Sequence, residues 1–237
     1  MSKLFFFRHG QASAGSENYD QLSEKGKEQA RLLGGYLCQE GIKFDRIFCG
    51  PLVRQKETEK EVRLIYQSKN RIYPHAEVLD GLREHTGMDI LKTHYKAILQ
   101  QHPYLEELRL KSQENPAQSQ HYYMQAFDYF MQKWALEELK VEGVPLWRTF
   151  RKEVKTALDT ILNATKKGET VGVFTSGGTI SAIVGECLGI NKEDRIAQLN
   201  YSVRNASITQ FLYADPKFSL LEFNALHFLP KEMITFV

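Results

Sequence analysis

Val171-Gly172-Val173-Phe174 is a continuous apolar run that ends in Thr175-Ser176-Gly177-Gly178-Thr179 and leads into an apolar segment, residues 180–188, closed by Gly189. A run without polar alternation fits a strand buried on both faces. A strand that passes through glycines into a helix is a βα unit, and such units belong to layered folds with helices packed on a parallel sheet. Lys167-Gly168-Glu169 supplies the turn that leads in.

The same pattern recurs along the chain. Leu4-Phe5-Phe6-Phe7 is a second buried-strand run, followed by Arg8-His9-Gly10 and a polar loop over residues 11–20. Ser23 suits an N-cap for a helix over residues 24–38, with Ala30, Leu32, Leu33 and Leu37 on its apolar side. Residues 45–49 form a brief strand candidate, and Pro51 fits the first turn of the helix after it. Two last strands fall at 207–213 and 218–223. The expectation is an α/β fold with a mainly parallel central sheet and helices on both faces.

Residues 88–139 differ. They show helical spacing with aromatics at Tyr95, Tyr104, Tyr122, Tyr123, Phe127, Tyr129, Phe130 and Trp134, and no strand signal. A polar stretch over 112–119 interrupts them, with a loop near Asn115-Pro116. This reads as a helical insertion, a cap over the sheet at about residues 90–145, within a single domain spanning 1–237.

Composition narrows the function classes. A chain of 237 residues, 42% hydrophobic, is long enough for one substantial core. Its 31 basic and 29 acidic residues leave a formal charge of +2, which argues for neither nucleic acid nor a membrane surface as partner. Three cysteines without CxxC spacing argue against a disulfide framework and for reduced thiols. The apolar run before Arg8 is too short for a signal peptide or a membrane span. A cytoplasmic protein, monomer or homodimer, is expected, with no metal spacing among its seven histidines.

His9 follows a buried strand, where open α/β sheets gather their ligands. A neutral imidazole is a good nucleophile toward phosphorus when a hydrogen bond holds it in one tautomer. Arg8 offers a planar fork of donors to phosphate oxygens, and Gly10 permits close backbone approach. A surface turn with an incidental histidine is the plainer reading of these residues alone. Arg54, in Pro51-Leu52-Val53-Arg54, follows the second strand candidate and reaches either a strand-end pocket or solvent. Gly177 and Gly178 open a helix whose amides suit an anion, or make a simple tight turn. Glu84, in Leu82-Arg83-Glu84-His85, is by itself an ordinary acid.

Together these segments resemble a family. Phe7-Arg8-His9-Gly10 resembles the opening motif of the histidine phosphatase superfamily, which includes the cofactor-dependent phosphoglycerate mutases. Residues 20–30, from Asp20-Gln21-Leu22-Ser23-Glu24, resemble the segment after its catalytic loop. Pro51-Leu52-Val53-Arg54-Gln55-Lys56-Glu57-Thr58 resembles its second-arginine motif, and Leu82-Arg83-Glu84 with Gly87 the segment of its proton donor. Residues 147–162, the strand and Gly-Gly turn, Asn205-Ala206-Ser207-Ile208 and Phe223-Asn224-Ala225-Leu226-His227 follow in family order. The resemblance covers nearly everything outside residues 90–145. It implies that His9 accepts the phosphoryl group, Arg8 and Arg54 bind it, and Glu84 protonates the leaving oxygen, without metal or cofactor. Gln11, Ser176 and Gly177 complete the expected substrate-binding set.

The pattern breaks at Ser176, where the family carries its second catalytic histidine. Serine keeps one short hydroxyl but no positive charge, and losing such a group costs on the order of 10²–10³ in rate. A water fills the gap, another residue substitutes, or the chain is a weak relative that binds phosphate esters. Gln11-Ala12-Ser13-Ala14-Gly15 differs from the pattern of the glycolytic mutases. A phosphomonoester hydrolase acting on a small phosphorylated metabolite or phosphoprotein is therefore expected, with mutase-type transfer as the alternative. The insertion is expected to set substrate choice, and Lys92, Arg109, Lys111 and Lys133 are either contacts for a second anionic group or solvated charges.

Overall fold

A computed structural model of the chain describes residues 1–13 and 20–236. Residues 14–19 of the expected polar loop, including Ala14 and Gly15, lie outside the described residues.

The N-terminal run forms β1 (Ser2–Arg8) in the middle of a six-stranded sheet ordered β3-β2-β4-β1-β5-β6. Its side chains alternate between two cores. Leu4 and Phe6 join one apolar cluster, whereas Phe5 and Phe7 join the other. That division explains an uninterrupted apolar run, because both faces of the strand are covered. β4 (Thr170–Thr175) divides likewise, with Val171 and Val173 on the first side and Phe174 on the second. Burying each such side chain contributes roughly 1.5–3 kcal/mol.

β1 runs parallel to β4, and β2 (Arg46–Cys49) runs parallel to β4 and to β3 (Ala76–Val78). β5 (Ile208–Ala214) and β6 (Lys217–Ala225) close the other edge antiparallel. β3 was not expected: three partly exposed residues on an edge carry too little pattern to read.

One face carries α1 (Glu24–Gln39) and α2 (Val53–Ser68), whose Leu33, Leu37, Val62 and Tyr66 pack on Phe5 and Phe7. Ser23 caps α1 as expected, its Oγ accepting from the Gly26 amide at 3.0 Å. Pro51 departs from expectation, since α2 begins at Val53 and Pro51 precedes it. The helix starts later because Gln55 Oε1 accepts from the Leu52 amide at 3.0 Å and Asp20 accepts from the Val53 amide at 2.8 Å. Those bonds satisfy the first free amides beyond the proline.

The opposite face carries α6 (Trp147–Ala164) and α7 (Gly177–Leu188), with Gly189 closing α7 at φ +62°. The helices expected between the second and fourth strands are α3 (Gly87–Gln101), α4 (Pro103–Glu114) and α5 (Ser119–Ala135), with a 3-10 turn at Pro116–Gln118 where the sequence breaks. Ile90, Ile98, Leu105, Phe130, Met131 and Trp134 join the cluster of Phe6 and Val173. A short α8 (Glu193–Leu199) follows α7. Among the described residues no helix is long and apolar enough to cross a membrane.

Candidate active site

The β1–β4 register carries through Arg8 opposite Thr175, and the His9 amide donates to the Thr175 carbonyl at 2.9 Å. The Ala206 amide donates to the His9 carbonyl at 3.1 Å. His9 is thus pinned at the carboxyl end of the two central strands, where such sheets hold their ligands. Gly10 then turns the chain onto α1. A Cβ there would stand 2.3 Å from the Gly26 carbonyl oxygen, so only glycine lets the loop lie this close. The Gly10 amide donates to Thr58 Oγ1 at 3.1 Å.

The His9 ring is buried, and its Nδ1 lies 2.7 Å from the Gly10 carbonyl oxygen. A carbonyl only accepts, so Nδ1 carries the proton and Nε2 presents a lone pair. Arg54 Nε donates to that Nε2 at 3.1 Å. Burial, then the Arg54 and Arg8 guanidiniums, hold the imidazole pKa well below its ordinary value, against a smaller opposing effect of the Gly10 bond. The ring is therefore neutral at neutral pH.

Arg54 is oriented by Asp20, whose Oδ1 lies 2.6 Å from Nη1. Sequence reasoning passed over Asp20, which is in the helix-leading segment rather than at a strand end. Arg8 Nη1 donates to the Val203 carbonyl at 2.5 Å, and a Cβ on Gly177 would stand 3.5 Å from Arg8 Nε.

Glu84 lies across the start of α7, where its Oε1 accepts from the Gly178 amide and from the His85 amide, each at 3.0 Å. The group that occupies this helix terminus is the chain's own Glu84 carboxyl. The first turn of α7 thereby joins Arg8, beside Gly177, to Glu84, beside Gly178. His85, absent from the expected set, places Nε2 3.7 Å from Glu84 Oε1 and 3.1 Å from Asn200 Nδ2. Its ring packs against Trp134, Trp147 and Phe150, so α5 and α6 touch the site through it.

Ser176 is fully buried, and its Oγ accepts from Gln55 Nε2 at 2.8 Å. Gln11 lies at the cap of α1, its amide donating to Gln29 Oε1 at 2.8 Å and its Oε1 accepting from Ser23 at 3.2 Å. Among the described residues no three His, Cys, Asp or Glu side chains converge as metal ligands would.

Residues 4–128 and 117–226 match the model of the histidine phosphatase superfamily (branch 1). A 57-residue segment is 35% identical to the serine/threonine-protein phosphatase Pgam5, mitochondrial, of Drosophila persimilis, covering 23% of this chain. The match spans only 20% of that relative's length. The structure of Bacillus stearothermophilus YhfR is similar with a TM-score of 0.66 at 21% identity, over 97% of this chain and 100% of that one. A phosphoglycerate mutase from Bacillus anthracis str. Sterne is similar with a TM-score of 0.63 at 20% identity, over 96% of this chain and 94% of that one. At these identities the structural likenesses speak for the fold alone.

Proposed function

Because the chain belongs to the histidine phosphatase superfamily, we propose that it hydrolyses phosphate monoesters through a phosphohistidine formed on His9. The observation that carries this reading is the His9 ring, neutral, held in one tautomer by Gly10 and presenting Nε2 beside Arg54. Arg54 and Arg8 bind the phosphoryl oxygens. Two guanidiniums neutralise that charge without calling on a metal.

The chemistry takes two steps. Nε2 attacks phosphorus as the bond to the leaving oxygen breaks, and Glu84 delivers its proton to that oxygen. Water then attacks phosphorus, the Glu84 carboxylate takes up its proton, the N–P bond breaks, and orthophosphate leaves. The proton on Nδ1 remains there throughout, donated in a hydrogen bond to the Gly10 carbonyl.

Ser176 takes the place of a second histidine. Its hydroxyl is bound by Gln55, so the phosphoryl oxygens rely on Arg8, Arg54, Gln11 and the backbone at Gly177. Turnover is retained and modest, below that of a site with a second imidazole by on the order of 10²–10³. The substrate is a small phosphorylated metabolite or a phosphoprotein. The name of the Drosophila relative supports the second class, and the sequence after Gly10 favours hydrolysis over mutase transfer. The helices of the insertion cap the pocket within a single domain and set substrate choice.

The test uses p-nitrophenyl phosphate. Turnover is expected in the unmodified chain and lost in His9→Ala, with acid-labile phosphohistidine trapped on rapid quenching. Equal turnover by His9→Ala removes the nucleophile assignment, and saturable binding without a covalent label makes the chain a binding module.

A further inference from the structure

Gln55 is a fully buried polar side chain one residue from Arg54, and it faces inward. Its Nε2 donates to the Leu82 carbonyl at 2.9 Å and to Ser176 Oγ at 2.8 Å, while its Oε1 accepts from the Leu52 amide at 3.0 Å. Both amide hydrogens and the amide oxygen are thus used. Turning the amide over would set its oxygen against the Leu82 carbonyl, so the orientation is determined. Thr175 Oγ1 donates to the same carbonyl at 2.6 Å, which fills both lone pairs of Leu82. Gly50 makes room for the arrangement: a Cβ there would stand 2.1 Å from Gln55 Oε1 and 2.7 Å from the Leu82 oxygen.

The three anchors of this one amide lie on three different segments. Leu52 immediately precedes α2 and leads to Arg54. Leu82 lies two residues before Glu84. Ser176 precedes the Gly177-Gly178 turn whose second amide holds the Glu84 carboxylate. Having no exposed surface, Gln55 acts through these neighbours and not on a ligand.

We propose that Gln55 is a positioning residue that sets the Glu84 carboxyl against the leaving oxygen. The assignment rests on the phosphatase reading, with Glu84 as proton donor. A donor displaced by about an ångström loses up to roughly 10²-fold in rate. The loss falls on esters that need their leaving oxygen protonated and spares those that depart readily as anions.

The experiment compares phenyl phosphate, a poor leaving group, with p-nitrophenyl phosphate, a good one of nearly the same shape. Gln55→Met keeps the buried volume and removes all three bonds. It is expected to lower kcat/KM, which reports the step that expels the leaving group, for phenyl phosphate by roughly tenfold to 10²-fold, with a much smaller change for p-nitrophenyl phosphate. Ser176→Ala removes one anchor, reports if Gln55→Met does not fold, and should show the same selectivity more weakly. A parallel loss of kcat/KM on both esters, or no loss, in the variants that fold overturns the assignment while leaving the phosphatase reading intact. Absence of turnover of either ester by the unmodified chain overturns that reading, and this assignment with it.

Discussion

Arg54 Nε donates to His9 Nε2 at 3.1 Å, so the arginine occupies the lone pair that the proposed reaction needs. A phosphate ester must draw the guanidinium onto its own oxygens before Nε2 can attack. Asp20, 2.6 Å from Arg54 Nη1, keeps the side chain near while it exchanges partners.

Arg54→Ala is therefore expected to lower kcat/KM for p-nitrophenyl phosphate by on the order of 10²–10³. Arg54→Lys should recover little, because an ammonium cannot span two oxygens as the planar fork does. Full activity in the lysine variant would show that Arg54 serves as a point charge only.

Acid should weaken the fold through His9. The folded pKa is depressed, by burial first and then by Arg54 and Arg8, so the folded ring stays neutral where the unfolded ring takes up a proton. As pH falls below about 6.5, the ordinary imidazole value, the unfolded state binds more protons and stability declines until the folded pKa is reached. The slope from this one group is at most ~1.4 kcal/mol per pH unit. Denaturant unfolding at several pH values should show a shallower decline in His9→Gln than in the unmodified chain. Equal slopes would count against a depressed pKa.

Gly10→Ala should damage the fold and the site together. The added methyl would stand 2.3 Å from the Gly26 carbonyl oxygen, which is backbone and has little room to yield. A loss of about 1–3 kcal/mol is expected, read as a lower Tm. Turnover per folded molecule should fall as well, since the Gly10 carbonyl holds the His9 tautomer. An unchanged Tm would mean that the loop can lift from α1.

Trp134 ties α5 to the site. It is buried, donates from Nε1 to the Pro145 carbonyl at 2.7 Å, and meets the His85 ring at a centroid distance of 5.7 Å. Trp134→Ala should cost roughly 3–5 kcal/mol in denaturant unfolding. Trp134→Phe should restore most of that packing but not the bond to Pro145. A loss under about 1 kcal/mol in the alanine variant would mean that α5 packs independently of α6.

Much of the architecture was legible because buried strands and amphipathic helices write their periodicity locally. The apolar runs at Leu4–Phe7 and Val171–Phe174, the cap at Ser23 and the break before Pro116 each depend on neighbours a few residues away. The start of α2 was misplaced at Pro51 because side chains of Gln55 and Asp20 decide it, and Asp20 is remote in sequence. β3 was missed because an edge strand of three residues gains its bonds from β2 and not from its own pattern.

For the site, the order of residues already names the kinds of group present: a histidine between an arginine and a glycine at a strand end, a second arginine, an acid and a Gly-Gly turn. How they stand to each other follows from the folding of distant segments onto one another. It placed the lone pair of His9 under Arg54, turned Glu84 onto the Gly178 amide, and enclosed Ser176 with Gln55. Those relationships join residues 45, 94 and 121 positions apart. Hydrogen bonds and burial act over ångströms, and no local run of side chains records which distant partner the fold brings within that reach. The histidine beside Arg8 was visible from the start; its neutral ring, its tautomer and its guarded lone pair were not.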